Sequence, residues 1–198
     1  MKKFTYLLLA LLITLQAGCS SSNQAKQITK NSNPKEESVA VDKGLFNVKI
    51  TLPATMFEGD DINKVIADAE KEGIKVTKNT DGSLTYKMSK SQHKKMMKGI
   101  REEIIKTVNA TKESKDFVSL KDITYNNDFS EFTLIVDKSA YENSMDGLAA
   151  FTFGMSGMMY QLYNGVEPDD YKVTILVKDQ ATQKEINKIV YPDSLKDK

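Results

Sequence analysis

Histidine and cysteine, which often carry catalysis and metal binding, occur once each among the 198 residues, as His93 and Cys19. A Ser–His–Asp or Cys–His system would have to use His93, and no G-x-S-x-G motif stands near a predicted strand. His93 lies in the lysine-rich segment Gln92–Met97 and has no second imidazole with which to share zinc. We predict that it is a solvated helix residue and that the protein has no cofactor.

Three methionines on one predicted helix, Met155, Met158 and Met159, offer the thioether ligands that Cu(I) prefers. Exported copper carriers usually add more Met or His at short spacing, and this sequence does not. Methionine is also a flexible packing residue. We therefore predict core methionines and no metal site.

Two segments share the pattern N-x-D-x-S, Asn79–Ser83 and Asn126–Ser130. Their oxygen-bearing side chains resemble those of calcium loops, but each lacks the distal bidentate acid of an EF-hand. Asn, Asp and Ser bond to the backbone in ordinary turns, so both segments are predicted to be hairpin turns.

Catalysis by paired carboxylates is the remaining enzymatic hypothesis, because the chain has 27 Asp and Glu residues. None lies in an aromatic-rich context, and the sequence contains no tryptophan. We predict that the protein is not an enzyme. A lipid-anchored enzyme with an unrecognised carboxylate site is the alternative.

The first 19 residues have the pattern of an export signal followed by a modified cysteine. Lys2 and Lys3 precede the apolar run Phe4–Leu15, which is shorter than the roughly 20 residues that a membrane span needs. Small residues then precede Cys19, and this arrangement resembles the lipobox of bacterial lipoproteins, except that Gln16 replaces the usual Leu. The resemblance implies a signal peptide at residues 1–18 and lipidation of Cys19. Plain secretion is the alternative.

Residues 19–41 are predicted to form the lipidated cysteine and a disordered polar tether that folding does not require, because apolar residues are sparse there. Residues 42–198 are predicted to form a single globular domain. Without Lys2 and Lys3 the formal charge of +1 falls close to zero, so a nucleic-acid partner is not expected.

Apolar periodicity predicts the order β-α-ββα-ββα-ββ, an α+β fold with a largely antiparallel sheet and about three helices. The first strand is predicted at residues 46–52. Ser89 with Gln92 and Ser139 with Glu142 are predicted to cap the two later helices.

The last predicted helix, from about Ala140 to Asn164, contains twenty consecutive uncharged residues at positions 147–166. A buried helix, an apolar groove or partner surface, and membrane insertion all remain open. We favour burial, with Gly154 among small residues that allow close approach to the sheet. The predicted apolar helix and strand positions are Leu148, Phe151, Met155, Met158, Met159, Leu162, Phe132, Leu134, Val136, Val173, Ile175 and Val177.

The sequence as a whole is similar to small uncharacterised lipoproteins of Gram-positive bacteria, on the segments FNVKITLP, YKMSKSQHKKMM and DYKVTILVKD. The resemblance implies a location on the outer face of the cell membrane, anchored through Cys19. We therefore predict a non-catalytic binding module. Its ligand is an unidentified protein, cell-wall component or small molecule.

Overall fold

A computed structural model of the chain describes residues 39–166 and 170–196. In these ranges the fold is α+β, as predicted, with eight strands in two four-stranded sheets and five α-helices, of which three are longer than seven residues. The strands are β1 Ala40–Lys43, β2 Asn47–Leu52, β3 Lys75–Lys78, β4 Leu84–Ser89, β5 Leu120–Tyr125, β6 Glu131–Val136, β7 Val173–Asp179 and β8 Glu185–Tyr191. The helices are α1 Ile62–Lys71, α2 Lys90–Glu113, α3 Lys138–Glu142, α4 Leu148–Tyr163 and α5 Asp193–Lys196.

The two sheets divide the fold into halves. Sheet A has the strand order β1-β2-β4-β3 and is antiparallel throughout. Sheet B has the order β5-β6-β7-β8, and its central pair β6–β7 is parallel. Helix α2 contacts both sheets, and α4 packs on sheet B and reaches β1 of sheet A. The core therefore lies between the sheets and these two helices.

Residues close in sequence define both ends of α1 and the start of α2. Asp61 caps α1 by accepting hydrogen bonds from the main-chain N–H groups of Asn63 and Lys64. Gly73 follows α1 with a φ of 74°, a conformation that glycine adopts without steric penalty. Ser89 and Gln92 form the predicted capping box of α2.

The single helix predicted from Ala140 to Asn164 is instead two helices, and Ser139 is not its N-cap. Asp137 caps α3, accepting from the N–H of Ala140 at 2.9 Å, because the helix starts directly after β6. The chain then breaks before α4, where the Asp146 carboxylate turns inward. It accepts hydrogen bonds from the main-chain N–H and the hydroxyl of Ser119 at 2.7 and 2.5 Å.

The start of the folded part also differs slightly from the prediction. Val39 is buried and β1 begins at Ala40, whereas the domain was predicted from Asp42. At the other end of this hairpin, the strand predicted from Phe46 begins at Asn47. Phe46 itself is 81% exposed in the turn, so it does not contribute to the buried face.

Strand and helix positions predicted as apolar mostly meet in the core, and α4 is the element that completes it. All six predicted strand residues of sheet B are fully buried. Gly154 and Gly157 face the same sheet; a Cβ atom on Gly154 would collide with the Tyr191 ring. No helix within the described ranges is both long and apolar enough to span a bilayer.

Candidate interaction surface

The residues that the sequence analysis considered as possible sites are Cys19, His93 and the three methionines of α4. Cys19, the predicted lipidation site, lies outside the described residues. His93 is buried, so the prediction of a solvated histidine is wrong. The methionines lie on α4, where Met158 is buried and Met155 and Met159 are half-buried against the core.

His93 is buried because α2 passes the end of α4, and its imidazole bridges the two helices. Its Nε2 lies 2.8 Å from the carbonyl oxygen of Tyr163. Since a carbonyl can only accept, Nε2 carries the hydrogen and donates it. Burial lowers the pKa of His93, the bond to Tyr163 opposes that shift, and the nearby Lys43 ammonium adds to the lowering. A neutral imidazole committed to a main-chain oxygen is a structural link between helices.

Tyr163 completes this buried contact between the two halves. Its side chain is 1% exposed, and its hydroxyl has no hydrogen-bond partner among the described residues. Burial raises the pKa of Tyr163 to about 12. Burial raises the pKa of the neighbouring Tyr86 as well, and Tyr163 adds to that shift. Both phenols therefore stay neutral under physiological conditions.

The two N-x-D-x-S segments are hairpin turns with matching hydrogen bonds, as predicted. In each, the aspartate Oδ1 accepts from the main-chain N–H and the hydroxyl of the serine two residues later, Asp81 with Ser83 and Asp128 with Ser130. The carboxylates are used by the turns themselves. Within the described part of the chain, no cluster of three or more His, Cys, Asp or Glu side chains could hold a metal ion.

Two carboxyl groups in the described part of the chain, Asp122 and Asp179, have pKa values below their usual range. A hydrogen bond from Lys112 lowers the pKa of Asp122, and a hydrogen bond from Thr182 lowers that of Asp179. A general acid would need a shift in the opposite direction. These two carboxylates are therefore structural groups of sheet B and its last turn.

The outward side of the chain around the start of α4 is unexpectedly apolar. Val118, Met145 and Leu148 are 62%, 75% and 57% exposed, and Phe151 is 39% exposed. Leu148 was predicted to be mostly buried, which is wrong, whereas Phe151 is partly covered and its ring lies 6.3 Å from that of Tyr191 on β8.

The hydrogen bonds from Ser119 to Asp146 bring the segment of Val118 beside that of Met145. Leu148 and Phe151 follow on adjacent turns of α4. We call these four residues, Val118, Met145, Leu148 and Phe151, the α4 patch. Exposed patches of large apolar residues are typical of surfaces that contact other molecules.

The sequence favoured a buried helix and left a partner surface and membrane insertion open, and the structure buries one side of α4 while exposing residues at its start. Ala150, Phe153 and Gly157 on one side of α4 are buried against sheet B. Another side begins with Leu148 in solvent and with Phe151, which the ring of Tyr191 covers in part. Because the helix is apolar on all sides, its periodicity could not reveal which side faces the sheet.

The described residues thus form an α+β domain with exposed apolar side chains near the start of α4. Residues 40–148, more than half of the chain, match the family described as the adhesin P1 N-terminal domain, and the chain belongs to that family. Comparison with curated proteins and with solved structures finds no match. The family indicates a bacterial surface adhesin-like domain and is compatible with a non-catalytic interaction module.

Proposed function

We propose that this protein is a lipid-anchored module on the outer face of a Gram-positive cell membrane, where it binds a protein partner without catalysis. The exposed α4 patch is the observation that carries the proposal, because a solvated apolar surface lowers its free energy when a partner covers it. Membership of an adhesin family supports both the surface location and the binding role.

Lipidation of Cys19 supplies the anchor in this proposal. The charged start, the apolar run and the small residues before Cys19 support it. Two acyl chains on one cysteine hold a protein stably in a membrane, whereas a single chain gives only marginal binding. The native protein should fractionate with membranes, and Cys19→Ala should leave it uncleaved or release it. Mass spectrometry that finds unmodified Cys19 in the membrane fraction contradicts the anchor.

The binding role can be tested in intact cells with a photo-crosslinking amino acid at Leu148. We expect one discrete protein adduct, and Met145→Glu should abolish it by placing a charge beside the crosslinker. The same photo-crosslinker at Lys188, exposed on β8 of sheet B, serves as the matched control. Identical adduct patterns from the two positions would contradict a specific role for the α4 patch.

A further inference from the structure

The outer face of sheet A carries a row of lysines that the proposed function does not use. In the register of the sheet, Lys49 lies directly opposite Lys87, and Lys87 lies directly opposite Lys75. All three side chains are exposed. We call them the lysine ladder; with strands about 4.8 Å apart it spans roughly 10 Å across β2, β4 and β3.

Charge within the lysine ladder is largely uncompensated. Asp42 on β1 continues the row and lies 3.5 Å from Lys49. Lys75 and Lys87 form no ion pair in the described part of the chain, and like charges directly opposite each other destabilise a sheet. The arrangement costs stability in the isolated protein, and a bound anion would remove that cost.

Hydroxyl groups add further hydrogen-bond donors to this face. Thr51 is the next outward-facing residue of β2 after Lys49. It lies opposite Thr85 on β4, and the two side-chain oxygens are 2.9 Å apart. Asn79 donates to the Thr85 hydroxyl at 2.9 Å. Whichever threonine donates to the other, one hydroxyl hydrogen of the pair remains available to a ligand. Ammonium groups also only donate, so the face requires a ligand rich in acceptors.

The chemistry of the remaining outer-face residues restricts the class of ligand. These residues are Ala40, Asn47, Thr77 and Ser89. The face has no aromatic side chain on which a nucleobase could stack and no large apolar side chain that could enter a lipid layer. A linear arrangement of cations at regular spacing fits an extended polymer with a repeated anionic group, and lysine is a common ligand of phosphate.

We propose that the lysine ladder of sheet A binds a linear polymer of repeating phosphate groups that lies across the strands. This site is separate from the α4 patch and adds a second partner class to the protein. Sheet A lies wholly within residues 40–148, the part of the chain that matches the adhesin family.

Binding of medium-chain inorganic polyphosphate to the purified full-length chain tests the proposal by fluorescence anisotropy or calorimetry over a salt series. We expect saturable binding that orthophosphate at equal phosphate concentration does not match. Lys87→Thr should weaken it about tenfold. Each lysine removed should lower the slope of log affinity against log salt by about one.

A matched variant separates the ladder from general positive charge. Lys188→Thr removes an exposed strand lysine from sheet B and should leave polyphosphate binding unchanged. The triple variant Lys49→Thr, Lys75→Thr, Lys87→Thr should abolish binding while unfolding at the same temperature as the native chain or higher. Equal losses in Lys188→Thr and Lys87→Thr, or no polyphosphate binding by the native chain, overturn the proposal.

Two further probes decide between polymers and other phosphate carriers. A single-stranded oligonucleotide that binds more tightly than polyphosphate of equal charge would assign the face to nucleic acid instead. Anionic vesicles that bind only when Leu45 and Phe46 are intact, without any polyphosphate binding, would assign it to a lipid surface. These measurements use purified protein, so their failure does not affect the anchor at Cys19 or the α4 patch, and a failed anchor leaves ladder binding intact.

Discussion

The two halves of the molecule share one pattern of elements and yet build differently ordered sheets. Each half is a hairpin, a helical segment and a second hairpin: β1β2–α1–β3β4 in the first and β5β6–α3α4–β7β8 in the second. In both, the helical connection joins parallel strands. In sheet A, however, β4 inserts between β2 and β3, whereas in sheet B β7 lies directly beside β6 and β8 takes the edge.

The order of the strands follows the distribution of apolar residues within each second hairpin. In the first half the later strand β4 is the apolar one, with Leu84, Tyr86 and Met88 buried, whereas β3 buries only Val76. In the second half the earlier strand β7 alternates cleanly and buries four residues, whereas β8 buries only Tyr191. In each sheet the more apolar strand of the second hairpin is central. A central strand has a neighbouring strand on both sides, so its apolar residues are covered more completely than they would be at the edge.

The turns Asn79–Ser83 and Asn126–Ser130 also differ in apolar burial, at one residue with a positive φ. Gly82 has a φ of 86° in the first turn, and Phe129 occupies the equivalent place in the second with a φ of 55°. A left-handed conformation costs a residue other than glycine about 1–2 kcal/mol. Phe129 is fully buried, 4.9 Å from the ring of Tyr160 and 5.9 Å from that of Phe132, and this burial offsets the cost.

The largest expected effect tests whether an apolar residue on a central strand contributes more to stability than the same residue on an edge strand. Ile175 on β7 lies directly opposite Ile189 on β8, so the pair differs in position rather than in residue type. Ile175→Ala should destabilise the protein by about 2–5 kcal/mol, because a fully buried cavity forms. Ile189→Ala, at a half-buried edge position, should cost about 1 kcal/mol. Urea denaturation measures both, and equal costs would contradict our account of strand order.

The close approach of α4 distinguishes sheet B from sheet A and predicts the next effect. Gly154→Ala should destabilise by about 1–3 kcal/mol, because the added Cβ collides with the Tyr191 ring. This outweighs the gain of up to about 1 kcal/mol from replacing a helix glycine. Gly44→Ala is the control, since its Cβ would meet only the Asn47 oxygen at 3.4 Å. An unchanged denaturation midpoint for Gly154→Ala would show that α4 can move away from the sheet.

Acid should weaken the contact between the halves before it affects carboxylates. The folded-state pKa of His93 is below its unfolded value near 6.5, so folding favours the neutral ring. Its contribution is fully present above pH 6.5 and is lost as the pH falls through the folded pKa. Asp122 and Asp179, whose pKa values are lowered from 3.8, lose their contributions only in more acidic solution.

This pH dependence is measurable as the free energy of unfolding in buffers between pH 7 and pH 2.5. The native chain should lose stability as the pH falls below about 6.5, in the window set by His93. His93→Gln should give a flatter profile there and retain the carboxylate-dependent loss below it. The same slope in both chains would assign the effect to groups other than His93.

The smallest expected effect concerns the charges on the two outer faces. In sheet A, Lys87 lies between two lysines, whereas Lys178 in the corresponding row of sheet B lies opposite Glu185. Lys87→Thr should leave stability unchanged or raise it by up to about 1 kcal/mol, because a like-charge contact is removed. Lys178→Thr should lower it by a few tenths of a kcal/mol. Thermal unfolding at low salt compares them, and a clear loss for Lys87→Thr would show that its side chain stabilises sheet A.

Local chemistry in the sequence determined the elements and most of their ends. Alternating apolar residues predicted every strand except β1, and the residues buried along α2 include Met97, Ile100, Ile104 and Val108 at helical spacing. Asp61 and the pair Ser89–Gln92 act within one helical turn, so they function wherever the helix is placed. The N-x-D-x-S turns are local in the same sense.

Tertiary structure alone decided the features that depend on residues far apart in the chain. His93 has polar sequence neighbours but is buried by Tyr163, seventy residues away. Leu148 belongs to an apolar helix but is exposed, and Phe151 is covered only in part, by the ring of Tyr191 on β8. The lysine ladder exists only through the register of three strands. Sequence periodicity reports which residues share a face of one element, whereas burial and charge density also depend on which element covers that face.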